Sequence, residues 1–183
     1  TSNTRLRVFS IAIVAVLTSV IGLFTTFNTF SADVRELDSS LLRIENEISR
    51  NPNEAISSAL LETGKESVDV MLLVQSQDGS QSLLRDTTSG LYDALAQKTF
   101  TDASIVRPTD AQAADIRFRY ISLKVLGGDL LILAVDSSEA FNALKSNLIL
   151  TVEVTFGLII IATLLLTFYF RRVRRKDDAD ALA

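Results

Sequence analysis

Residues 148–176 read LILTVEVTFGLIIIATLLLTFYFRRVRRK, and the organisation of the whole chain follows from them. Val154 to Phe170 is seventeen residues without a charge, and Leu148 to Phe170 is twenty-three with only Glu153 interrupting. At about 1.5 Å per residue, a helix of that length crosses a hydrocarbon core of roughly 30 Å. A belt that is apolar on every side has nowhere to hide in a small soluble domain, so a membrane span is expected over 148–170. Arg171, Arg172, Arg174, Arg175 and Lys176 follow directly after Phe168, Tyr169 and Phe170. Aromatic residues favour the headgroup layer and Lys/Arg clusters the cytoplasmic side, so these five cations are expected to anchor the helix with the tail, 171–183, inside. Near anionic lipid each adds about 1 kcal/mol of attraction.

Working outward, Arg5 and Arg7 precede Val8 to Phe30, again twenty-three residues without a charge. This predicts a second span over 8–30, with residues 1–7 cytoplasmic. A cleaved signal peptide competes with that reading, but its apolar region would be shorter, about 7 to 15 residues, and Thr29-Phe30-Ser31 is a poor cleavage site. Residues 31–147 are then an extracytoplasmic domain between two spans. They hold eleven Lys and Arg against eighteen Asp and Glu, an acidic middle between basic ends. A basic nucleic-acid surface is not expected.

The chain has no Cys and no His. Thiolate chemistry, disulfides and Cys-based metal sites are excluded, together with the commonest acid/base residue and transition-metal ligand. An enzyme would need a carboxylate, Ser or Lys constellation, and none is evident. Thr63-Gly64-Lys65-Glu66 is not a phosphate-binding loop, because Ala59 stands where the earlier glycine should be and Glu66 where Ser or Thr should follow the lysine. Asp102, Asp110 and Asp115 lack the spacing of a calcium loop, so neither metal nor cofactor is expected.

Phe27, Phe30, Val34, Leu37, Leu41, Ile44 and Ile48 follow one another at intervals of three and four, with charged residues between them. The helix is therefore expected to leave the membrane and run on to about Arg50, where Asn51-Pro52 stops it. Its seam has two readings: a coiled coil with a second copy, giving a homodimer, or the stripe that packs on the domain's own sheet. Further on, a short helix is expected over 54–62, then strands over 67–75 and 82–85 around an Asp78-Gly79 turn, and a helix over 91–98. A strand over 104–107 is expected to stop at Pro108, with loop or a helical turn over 109–115. Strands over 116–125 and 130–135 flank Gly127-Gly128. Asp136 and Glu139 form a capping box for the helix that enters the second span. The sum is an α+β membrane protein in which two transmembrane helices flank a domain with a long N-terminal helix and a five-stranded antiparallel sheet.

In layout, and most closely in IRFRYISLKVLGGDLLILAVDSSEAFNAL (116–144), the chain resembles the PAS-like extracytoplasmic sensor region, of the PDC or Cache type, of bacterial membrane histidine kinases, particularly actinobacterial ones. The resemblance implies signal input from outside the cytoplasmic membrane, passed through the second span. Only DDADALA follows Lys176, so neither a phosphoacceptor helix nor an ATP-binding domain lies within these residues. A sensor fragment is one expectation; a complete small protein, serving as accessory subunit of a larger membrane complex such as a respiratory assembly, is the other. Arg117, Arg119, Tyr120 and Lys124 are candidates for binding an anionic ligand on the sheet, although strand alternation puts Lys124 on the face opposite the two arginines. Glu153, the single charge in the second span, is a candidate contact with a membrane partner.

Overall fold

The computed structural model describes residues 2–88, 90–95, 100 and 104–180. Its elements in chain order are α1 (Ser2–Arg50), a 3-10 turn (Pro52–Glu54), α2 (Ala55–Thr63), β1 (Val70–Gln75), β2 (Gln81–Arg85), α3 (Leu91–Leu95), β3 (Ile105–Ala113), β4 (Ile116–Lys124), β5 (Leu130–Asp136) and α4 (Ser138–Asp180). They form two compact units, residues 1–29 with 143–183, and residues 30–142.

The first unit contains the two apolar helical segments, both long and apolar enough to cross a membrane. Their large side chains point outward: Phe24 is 73% exposed and Phe168 69%. Water would not tolerate such a belt, whereas lipid would. Gly22 makes the close approach within this unit, since a methyl group added there would run into the Thr151 side chain. Small residues at such a crossing let helix backbones come near one another in lipid.

The second unit is a five-stranded antiparallel sheet in the order β2-β1-β5-β4-β3. Strand alternation divides its side chains into two cores. Val70, Leu72 and Val74 of β1, Ile121 and Leu123 of β4, and Leu131, Leu133 and Val135 of β5 meet Leu41, Ile44 and Ile48 of α1 and Ala55 and Ala59 of α2. The opposite face gathers Met71, Leu73, Phe118, Leu130, Ile132 and Ala134 with Leu91 and Leu95 of α3 and Phe100. Leu41 and Ile44 are fully buried within their own domain, and Leu37 packs at the edge of the same cluster. This part of the seam is therefore the stripe that covers the sheet and is not available to a coiled-coil partner. Phe27 lies exposed in the first unit, while Phe30 and Val34 are half-buried.

The expected strand ending at Pro108 runs instead through the proline to Ala113. β3 is an edge strand, so the missing proline amide leaves no interior ladder bond open. Ile105 pairs with Ser122 and Thr109 with Tyr120, so β3 advances four residues while β4 advances two. Side chains repair the bulge: Ile105 N donates to Ser122 Oγ at 3.1 Å and Lys124 N to Ser104 Oγ at 3.0 Å. The expected helix over 91–98 is described only as Leu91–Leu95, its remainder lying outside the described residues. Between β4 and β5, Gly128 has a φ of +89°, a conformation that strains any residue with a Cβ, and a Cβ there would also displace the end of the Gln77 side chain; Gln77 Nε2 donates to the Gly127 carbonyl at 2.7 Å.

Ile44→Ala is expected to destabilise the sheet domain by about 2–4 kcal/mol, with an unfolding midpoint independent of protein concentration. Denaturant titration of the full chain in detergent at two concentrations checks both; a concentration-dependent midpoint would mean that the seam also joins two copies. At the β1–β2 turn, the Ser80 hydroxyl and amide bind the Asp78 carboxylate and hold its pKa below the usual 3.8. A lowered carboxylate pKa stabilises above the unfolded value and loses that contribution as pH falls through the folded one. Protection of the Ser80 amide in hydrogen exchange is therefore expected to fall below pH 3.8, and Asp78→Asn is expected to remove that dependence.

Candidate functional site

β4 carries the chemistry of this domain because its two arginines, two residues apart, share one face. Arg119 is 11% exposed in its side chain. Its Nε and Nη2 donate to the two Asp38 oxygens of α1 at 2.5 and 3.0 Å, and Nη1 donates to Asp110 of β3 at 2.7 Å. Nη2 also donates to the Pro108 carbonyl at 3.2 Å. One guanidinium thus joins α1, β4 and the bulged part of β3, using its planar fork on Asp38 as a bidentate clamp. Burial lowers the Arg119 pKa, but the hydrogen bond and charge of Asp38, and then those of Asp110, outweigh it and hold it above the ordinary arginine value. The group is a permanent cation at any physiological pH.

Arg117 attends to the other long helix. Its backbone amide donates to Ser138 Oγ at 2.9 Å, and its carbonyl accepts from Ser137 N at 2.9 Å and Ser138 Oγ at 3.3 Å. Its guanidinium lies 4.4 Å from the centre of the Phe141 ring, within cation–π distance. Phe141 in turn meets Phe30 of α1 edge-on at 5.0 Å. Asp136 Oδ1 accepts the Ser138 amide at 2.7 Å, so it serves the helix start as expected, but from one position before Ser137, whose carbonyl takes the first helical bond from Phe141 N.

The four residues singled out for an anionic ligand do not converge. Arg117 and Arg119 face α1 and the start of α4, and Arg119 already holds two carboxylates. Tyr120 lies on the opposite face, with ring centres 5.3 Å from Phe100 and 5.8 Å from Phe118. Lys124 falls on that same side by alternation and has a partner of its own. Gln75, buried among these residues, fixes Phe100 from both sides: Nε2 donates to the Phe100 carbonyl at 3.0 Å and Oε1 accepts its amide at 3.1 Å.

The remaining candidates are dispersed. Asp110 belongs to Arg119, Asp115 is exposed, and Asp102 lies outside the described residues. Among the described residues no group of three or more acidic side chains is placed to hold a metal ion. Glu153 is exposed on α4, as are Arg171 and Arg172; Arg174, Arg175 and Lys176 continue the same helix. Asp38, Ser138 and Phe141 escaped the sequence reading. Asp38 looked like one of many charged residues beside the seam, and nothing in its spacing indicates which strand would present a cation to it.

Comparison with protein-family models, with curated proteins and with solved structures gives no match. The functional reading therefore rests on residues and geometry.

Arg119→Ala is expected to cost about 1.5–3 kcal/mol, the range for hydrogen bonds to charged groups in a partly solvated setting. Arg119→Lys should recover only part of this, because an ammonium cannot make the paired contact. Denaturation of Arg119→Ala, Asp38→Asn and the double variant checks the assignment: coupling between the two sites is expected, and additive losses would refute the clamp.

Proposed function

We propose that this chain is a non-enzymatic, twice-spanning protein of a bacterial cytoplasmic membrane, with both termini inside and a PAS-like domain outside that acts as a signal-input module. The observation that carries this reading is the attachment of both long helices to one strand. Arg119 ties α1 to β4 through Asp38, and Arg117 ties the start of α4 to the same strand through Ser138 and Phe141. An event that moved β4 would reach both helices at once, and each helix continues unbroken into an apolar segment. Such a device needs two packings of comparable energy between which a ligand selects. The orientation is supported by Arg5 and Arg7 before the first apolar segment and by the five cations after the second.

One observation favours a second reading, an accessory subunit of a larger membrane complex. Glu153 is an exposed carboxylate in the otherwise charge-free segment 148–170 of α4, and such acids commonly have partners within the membrane. In that case Glu153→Gln would weaken co-purification of a membrane protein.

Single cysteines introduced at Leu126 and Arg172, in a chain that has no native thiol, test the orientation. An impermeant maleimide is expected to label the first in intact cells and the second only after permeabilisation. The signalling role is tested by fusing residues 1–183 to a histidine-kinase core that lacks its own sensor. Arg117→Ala and Arg119→Ala are expected to shift kinase output several-fold at unchanged membrane levels. Output equal to that of the unaltered fusion in both variants would overturn the input-module reading.

A further inference from the structure

The end of α1 and the β4–β5 hairpin enclose an open cleft of about 420 Å³ whose floor includes Ile48, Ala55, Leu123 and Val125. A smaller hollow of about 140 Å³ adjoins it, sharing Pro52, Ala55, Val125 and Leu126 as walls. Leu126 is 69% exposed and Val106, which also lines the cleft, is 47% exposed. Isolated exposed apolar residues are unremarkable, but these two border a concavity with an apolar floor, in the size range of small-molecule sites.

Glu45 and Lys124 both line the cleft, and Glu54 lines the adjoining hollow. Glu45 of α1 is half-buried; its Oε1 accepts from the Ser49 hydroxyl at 2.8 Å. Neither carboxylate has a cationic partner among the described residues, whereas Glu47, Glu62 and Glu66 nearby are all in ion pairs. Lys124 at the end of β4 already has a partner, which leaves Glu45 as the lining charge without a counter-ion among the described residues. A carboxylate beside an apolar floor lacks part of its water and gains most from an ammonium group that brings hydrocarbon with it. A carboxylate ligand would meet repulsion from Glu45 and Glu54.

We infer that this cleft binds a small organic amine with an apolar body, its ammonium on Glu45 and its hydrocarbon against Ile48, Ala55 and Leu123. The site supplies the input that the sensor reading requires and rests on that reading for its purpose. Binding itself is measured without any signalling output, so failure of one is distinguishable from failure of the other.

The test uses the full chain in lipid nanodiscs, with heats of binding corrected against empty nanodiscs. The probes are n-hexylamine, hexane-1,6-diamine and hexanoate. Saturable binding of the amines at one per chain is expected, with none for hexanoate. Glu45→Gln should weaken amine binding at least ten-fold. Ser49→Phe, on the exposed rim, should abolish it while the thermal midpoint of the domain stays unchanged. Three results would overturn the site: no saturable heat with either amine up to millimolar concentration, hexanoate binding as well as hexylamine, or both variants binding amines like the unaltered chain.

Discussion

Arg119 donates to a helix, to the neighbouring strand and to the backbone of a bulge, and the sheet domain depends on that convergence. A guanidinium left with 11% of its side chain exposed is costly to desolvate, and the cost is offset only because Asp38 accepts two of its donors and Asp110 a third. The bond to the Pro108 carbonyl fixes the point at which β3 leaves regular pairing. The contacts between α1 and the sheet core are apolar, which makes them strong but indifferent to register. The directional clamp decides which turn of α1 lies over which residue of β4.

The two faces of the sheet contribute differently. On one face the aliphatic side chains of β1, β4 and β5 interdigitate with α1 and α2, each fully buried Leu or Ile contributing about 1.5–3 kcal/mol of transfer free energy. On the other face an aromatic cluster of Phe100, Phe118 and Tyr120 closes over the sheet, positioned by Gln75 through paired bonds to the Phe100 backbone. An open cleft lies at the corner where α1 ends in Asn51-Pro52 and the chain turns into α2.

β4 joins these features mechanically. Arg119 engages α1, and two residues earlier Arg117 engages the first turn of α4 through three hydrogen bonds and a stacked ring. Hydrogen bonds and ion pairs of this kind have preferred discrete geometries, so a shift in the strand would re-form them in a new register more readily than stretch them. This gives the proposed input module a physical route from the sheet to the helices that reach the apolar segments.

Local chemistry was sufficient for much of the architecture. Charge-free runs bounded by Arg5, Arg7 and Arg171–Lys176 determined the two candidate spans, because burial of a helix in lipid depends on length and polarity alone. The 3-4 spacing from Val34 to Ile48 determined that α1 runs to Arg50, and Asn51-Pro52 determined where it stops, since proline's missing donor acts at its own position. Gly127-Gly128 likewise marked the last hairpin. Tertiary structure decided what those elements meet. The seam reads the same whether it covers a sheet or a second helix, and only the fold shows Leu41 and Ile44 closed off by β1, β4 and β5. Pro108 reads as a stop, and only its place on an edge strand, with Ser104, Ser122 and Arg119 supplying the missing bonds, lets β3 continue. Arg117 and Arg119 read as cations awaiting an anion; their carboxylate and aromatic partners come from residues as much as 81 positions away, and no local pattern records a contact at that separation.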